Sequence, residues 1–160
     1  MMNALTFRPA TAADQPTIRQ IVYRARINPL GLDWRCFLVA EEDGRIVAIG
    51  QIKPHADGSR ELASLAVISS RQGQGIGSAM VRMLQARNSA PLYLTCRAGL
   101  QTYYARFGFR TITPDEMPPY FRRIACLMNL GAPAGGPRLL VMRWDGPAPD
   151  QGQSPSQTRA

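Results

Sequence analysis

Apolar residues recur along this chain with two periods, and the switches between them mark out its elements. Residues 5–9 form a short extended run. Ile18, Ile21, Val22 and Ala25 then fall at i, i+3, i+4 and i+7 and predict a helix with one core-facing side. Pro16 sits in its permissive first turn and Asp14 is placed to cap it. Asn28, Pro29 and Gly31 interrupt the pattern, after which residues 36–40 predict a second strand. Residues 41–45, carrying Asp43-Gly44, predict a hairpin turn into a third strand at 46–52, and 53–60 read as a polar loop.

The densest pattern runs from Glu61 to Arg87. Leu62, Leu65, Val67 and Ile68 predict a strand; Gly73, Gly75 and Gly77 follow in a turn; Ile76, Met80, Met83 and Leu84 recur at helical spacing. Free backbone N–H groups and the positive end of a helix dipole at such a turn suit a phosphate or pyrophosphate. Beyond Pro91, residues 92–96 predict another strand, and Leu100, Tyr103, Tyr104 and Phe107 another helix, stopped by Gly108. Residues 109–112 return as a strand, Pro118 and Pro119 open a helix with the face Phe121, Ile124, Ala125 and Met128, and 139–144 form a last strand. Hairpins mixed with strand–helix–strand units argue for an α/β fold whose central sheet is partly antiparallel and partly parallel, flanked by helices. One domain is expected over residues 1–145. A tail from 146 to 160, rich in Pro, Gln and Ser, is predicted to be disordered.

Composition narrows the ligand classes. A chain of 160 residues that is 45% hydrophobic fits one domain with a real core. Its net charge of +8 rests on arginine, since Lys53 is the one lysine among 19 basic residues. The arginines are scattered, with no basic run longer than Arg122-Arg123, so a nucleic-acid partner is not expected. Three cysteines (Cys36, Cys96, Cys126) form no disulfide framework, and with His55 the only histidine no metal is expected. The N-terminus has no long apolar run, so neither a signal peptide nor a membrane span is expected, and the protein is placed in the cytoplasm.

The glycine turn fits two common phosphate motifs poorly. G-x-G-x-x-G fails because Ser78 stands where the third glycine belongs, and a P-loop fails because the turn has no lysine. The hexapeptide Gln72-Gly73-Gln74-Gly75-Ile76-Gly77 instead resembles the Q/R-x-x-G-x-G/A signature of the GNAT superfamily of acyl-CoA-dependent N-acyltransferases. Upstream, residues 61–67 are similar to that family's central strand. Downstream, Tyr104-Ala105-Arg106-Phe107-Gly108-Phe109 is similar to its Y-x-x-x-G-F segment, and the resemblance spans roughly residues 5–112.

The resemblance implies an N-acetyltransferase using acetyl-CoA as co-substrate, with direct transfer to an amine acceptor in a ternary complex. Backbone groups of Leu65, Ala66 and Val67 would hold the pantetheine arm, and amides from Gln72 through Gly73, Gln74, Gly75, Ile76, Gly77 and Ser78 the pyrophosphate, with charge added by Arg71. Glu61 is the candidate base and Tyr104 the candidate acid, with a backbone N–H near Val67 facing the carbonyl oxygen. Against these stand plainer readings: Glu61 as a solvated strand-end carboxylate, Tyr104 as a core residue with Tyr103 in its role, and Cys96 as a buried apolar group. Arg97 stands where many relatives carry asparagine. Residues 115–137 are long for a link between the last two strands and, with the loop 27–34, are expected to wall the acceptor side. There Arg122 and Arg123 either attract an acidic acceptor or form the wet face of a helix. The competing class is a GNAT-like module that binds acyl-CoA or nucleic acid without catalysis. The apolar last strand could pair across a homodimer.

Overall fold

The computed structural model describes residues 4–136 and 138–148. β1 (Thr6–Pro9) pairs antiparallel with β2 (Phe37–Glu42), which turns at Asp43-Gly44 into β3 (Arg45–Pro54). Both turn residues have positive φ, 49° and 72°, the geometry that two-residue hairpins demand. β3 turns in its own right into β4 (Arg60–Val67), because Lys53↔Glu61 and Pro54↔Arg60 continue the antiparallel register. The loop read at 53–60 therefore shrinks to five residues.

β5 (Leu92–Arg97) lies parallel to β4, β6 (Arg110–Thr111) is a short edge, and β7 (Leu139–Trp144) enters between them. The order is β1-β2-β3-β4-β5-β7-β6, a mixed sheet with one parallel pair. β7 is thus interior. One of its edges is taken by β5 along its whole length and the other by β6 at Met142 and Arg143. Residues 146–148 are irregular, and the rest of the predicted tail lies outside the described residues.

Among the described residues four α-helices cover the sheet: α1 (Gln15–Ala25), α2 (Ile76–Ala86), α3 (Gln101–Ala105) and α4 (Pro119–Asn129). Asp14 does not cap α1 with its side chain. Its carboxylate accepts from the N–H and hydroxyl of Thr11, which caps a preceding single 3-10 turn, and pairs with Arg8 at 2.7 Å. α3 is shorter than its apolar pattern predicts, because residues 98–100 form a 3-10 turn before it.

Strand alternation divides the core. Leu92, Leu94 and Cys96 join Met80, Val81 and Leu84 of α2 on one face, while Tyr93 between them meets Phe121 of α4 on the other. That second face also carries α1, through Ile18, Ile21 and Val22 against Val39 and Ile49. α2 comes so close to β3 that a Cβ on Gly50 would lie 2.9 Å from Leu84 Cδ1 and 3.1 Å from Met80 Cγ. Both neighbours are buried and have little room to give. Gly50→Ala is therefore expected to cost about 1–3 kcal/mol of stability, the usual range for overpacking. Urea unfolding should read this as a lower midpoint at unchanged slope.

Candidate functional site

The site begins where β4 leaves its neighbour. Ser64 has φ 54°, and the β3–β4 register shifts between Ile49 and Gln51, so β4 carries a bulge in its middle. Among the described residues β4 and β5 register at Glu61↔Tyr93 alone and then part, opening a cleft along the second half of β4. Because the Ile68 N–H bonds Val47 O, alternation along the strand turns the N–H and C=O of Val67 to the edge away from β3. The carbonyl is met there by Gln72 Nε2 at 3.0 Å, and the amide faces the cleft.

The glycine turn closes one end of this cleft. Gly73 and Gly75 have φ 74° and 79°, and a Cβ on either would meet nothing within 4 Å, so backbone conformation rather than space calls for glycine. Gly75 is the N-cap of α2, which leaves the N–H groups of Ile76, Gly77 and Ser78 without intrahelical acceptors. Ile76 is buried and pins this end to the core, while residues 72–75 are exposed. Arg71 stands beside the turn with its guanidinium engaged by Glu42, so its charge is shared.

At the other end Glu61 is 8% exposed, which sets aside the solvated strand-end reading. His55 Nε2 lies 2.8 Å from Glu61 Oε2, and the Thr95 hydroxyl donates to Oε1 at 3.3 Å. An ionised carboxylate only accepts, so opposite ionised Glu61 the contact assigns the donor role to Nε2. The Tyr120 ring stacks on His55 with centroids 3.5 Å apart and planes 18° from parallel, and Phe121 meets the imidazole edge-on at 5.5 Å. The start of α4 is tied to the same hairpin, since Tyr120 N–H donates to Asp57 Oδ2 at 2.9 Å. Asp57 is held down at about 2, first by the Ser59 hydroxyl and then by the amides of Tyr120 and Ser59, so it stays an acceptor. Burial, then the charges of Glu61 and Asp57, pushes the Tyr120 hydroxyl up.

A cavity of about 440 Å³ joins Glu61 and Tyr104 to Tyr120, Ile124 and Met128 of α4 and to Leu30 of the loop before β2. Burial, with smaller contributions from Tyr103 and Cys96, pushes the Tyr104 hydroxyl up to about 12, so it is a proton donor at neutral pH. Tyr103 points elsewhere: its hydroxyl lies 3.4 Å from Ser78 Oγ and packs over Gly77. Cys96 is buried against Met142 and burial raises its thiol, so it is a core group. A larger cavity, about 830 Å³, lies between α1 and the start of the turn, lined by Arg24, Arg45, Ser69, Ser70 and Gln72, and reaches neither Glu61 nor Tyr104. Arg122 donates to the carbonyls of Pro114 and Met117, and like Arg123 it lies outside the cavity at Glu61, on the wet side of α4. Among the described residues no cluster of three or more His, Cys, Asp or Glu could hold a metal ion, and no helix is long and apolar enough to cross a membrane.

His55, Thr95 and Tyr120 were not singled out by sequence pattern. One signal for His55 exists: Asp57-Gly58 is a turn dipeptide like Asp43-Gly44, and a hairpin centred there sets residue 55 beside the foot of the next strand. The stacking of Tyr120 has no sequence signal, because α4 reaches β4 only through tertiary packing.

Residues 33–111 match the family described as Acetyltransferase (GNAT) domain. No curated protein sequence matches the chain. Among solved structures it is similar to N-acetylglutamate synthase from Neisseria gonorrhoeae complexed with coenzyme A and N-acetyl-glutamate, with TM-score 0.67 and 19% identity over 91% of this chain and 36% of that one. It therefore spans about a third of that protein. It is also similar to the ribosomal-protein-S18-alanine N-acetyltransferase from Escherichia coli, with TM-score 0.65 and 20% identity over 94% of this chain and all of the other, 100%. An acyl-CoA N-acyltransferase from Pseudomonas aeruginosa gives TM-score 0.62 and 22% identity over 88% of this chain and 99% of that one. Such identities establish the shared fold, and with the family match across β2 to β6 that fold is the one of the GNAT acetyltransferases.

Proposed function

We propose that the chain is an N-acetyltransferase that moves an acetyl group from acetyl-CoA to a primary amine by direct transfer in a ternary complex. The observation that carries this reading is one cleft, opened by the parting of β4 and β5, with the glycine turn at one end and Glu61 and Tyr104 on the walls of the other. Acetyl-CoA supplies an acyl group already activated as a thioester, and the coenzyme A complexes of related folds support it as co-substrate. The chain's own groups fit it. Amides from Gln72 to Ser78 suit the pyrophosphate, and the free edge of β4 at Leu65, Ala66 and Val67 suits the amide-bearing pantetheine arm as an added strand.

Glu61 addresses the acceptor. With a lysine-like pKa near 10.4, keeping an amine neutral at pH 7 costs about 4.6 kcal/mol, so a carboxylate that takes the proton directly or through water is worth having. The Val67 amide lies on the cleft side, where charge develops on the acyl oxygen. Tyr104 serves the departing sulfur as a hydrogen-bond donor. A hydroxyl near 12 lies about 3.5 units above an ordinary thiol, about 5 kcal/mol against complete transfer, so it stabilises charge on sulfur before any proton moves. Acceptors in related folds range from N-acetyl-glutamate chemistry to an alanine of a ribosomal protein, so a protein lysine, a protein N-terminus and a small amine all belong in the test.

An acceptor screen with acetyl-CoA, reading free thiol and acetylated product by mass, tests the reading directly. Thiol release should depend on added amine, and release without any amine or product would sink direct transfer. Glu61→Gln should lower kcat/KM for the amine by about 100-fold, within the range of a lost general base, at an unchanged KM for acetyl-CoA. Tyr104→Phe should slow kcat about 10-fold or more while coenzyme A affinity measured by calorimetry stays within 2-fold, since the phenol meets only the departing sulfur. Gly75→Ala should do the reverse. Forcing a side chain into the left-handed region costs about 1–2 kcal/mol and disturbs the anion-binding amides, so coenzyme A affinity falls about 10-fold with kcat at saturation preserved.

A further inference from the structure

A glutamate at a strand end has three side-chain torsions, and burial alone does not aim its carboxylate. In this chain two donors fix it, His55 Nε2–H on Oε2 and the Thr95 hydroxyl on Oε1. Thr95 belongs to the strand beside β4. His55 belongs to a short hairpin loop and needs support of its own, and α4 provides it. The imidazole side chain is 6% exposed, faced by the Tyr120 ring at 3.5 Å and edged by Phe121, which is fully buried among Tyr93, Ile112 and Val141. Asp57, two residues along the same loop, accepts the Tyr120 amide and locks loop and helix together. The helix that walls the acceptor cavity through Ile124 and Met128 is therefore in direct contact with the residue that holds Glu61.

We propose that His55 and Tyr120 are positioning residues for Glu61, so that α4 both walls the acceptor cavity and aims the carboxylate that takes the amine's proton. The proposal rests on the acetyltransferase reading for its catalytic consequence, though the clamp itself does not. His55 acts through Glu61 and touches no substrate. Tyr120 acts through His55, and among the described residues its ring is the only one stacked face to face on the imidazole. The proton path is simple: the ammonium N–H bond breaks, Glu61 gains the proton, and the Nε2–H stays on His55 throughout.

Because His55 is the only histidine in the chain, one spectrum tests the clamp without any activity. Proton–nitrogen NMR of the whole protein should show a single downfield, slowly exchanging imidazole Nε2–H, and this resonance should vanish in Glu61→Gln and in Tyr120→Leu. The kinetic arm uses amine-dependent thiol release. His55→Ala and Tyr120→Leu should each lower kcat about 10-fold or more, the scale of a misplaced catalytic group, with KM for acetyl-CoA within 2-fold of the parent. His55→Gln, whose amide keeps a donor at a similar reach, should recover at least half of the lost rate on a logarithmic scale. Thermal melts of all variants identify any loss that is merely unfolding, and His55→Gln then carries the test if His55→Ala does not fold. A parent-like kcat in His55→Ala, no recovery in folded His55→Gln, or an Nε2–H indifferent to Glu61→Gln would each overturn the proposal. A parent protein that releases no thiol with any amine overturns the acetyltransferase reading and the catalytic role with it, a result distinct from an active parent whose His55 variants match it.

Discussion

The parting of two parallel strands governs the rest of this molecule. A sheet satisfies its backbone by pairing, so a strand that leaves its neighbour must find other partners for one row of N–H and C=O groups. β4 leaves β5 after Glu61↔Tyr93 because a bulge at Ser64, in a left-handed conformation, turns its second half away while β3 still holds its other edge. The exposed row is the reason a ligand with amides of its own can lie there. The same divergence moves the start of α2 away from β5 and sets the amides of Ile76 to Ser78 at the mouth of the opening. Close packing then makes the geometry rigid, since Gly50 lets α2 sit almost on β3 beneath the bulge.

At the closed end of the cleft the constraint is electrostatic. A carboxylate that is 8% exposed must be hydrogen-bonded to remain charged, and its donors come from two elements: the β3–β4 loop through His55 and β5 through Thr95. Four residues of chain connect the first donor to Asp57 and Ser59, whose mutual bonds shape the loop, and from Asp57 the tether passes to α4. Burial of one negative charge thus recruits the loop of its own hairpin and a helix far along the chain.

How much of this could be read from sequence follows from which interactions are local. The strand–glycine–helix unit was legible because apolar spacing and three glycines are constraints within 27 residues, and the mixed character of the sheet followed from hairpins and one crossover. Glu61 and Tyr104 were found through motif position, and the structure brings both to one cavity. What failed was non-local. Asp14 was read as a cap, yet Arg8 and Thr11 compete for its carboxylate. The insertion of β7 between β5 and β6 was not legible either, because its partners are fixed by tertiary pairing. His55 was read as part of a polar loop, because nothing in its neighbours announces a stacked tyrosine 65 residues later.

The two halves of the site therefore differ in what they are made of, and this difference bears on how such a fold can change acceptor while keeping its co-substrate. The turn and the free edge of β4 act through main-chain groups, whose placement depends on φ values at Gly73, Gly75 and Ser64 and is indifferent to most side chains nearby. The half around Glu61 is built from side chains: Glu61 with His55 bonded to it, and Tyr120, Ile124, Met128 and Leu30, the last four outside the matched family segment. Substitution there alters shape and polarity at little cost to the sheet, because Phe121 alone anchors α4 in the core with full burial. The exception is the contact between Tyr120 and His55. It joins the α4 wall to the residue bonded to Glu61, so any change that reshapes the first turn of α4 must preserve a ring over the imidazole or find another way to hold Glu61.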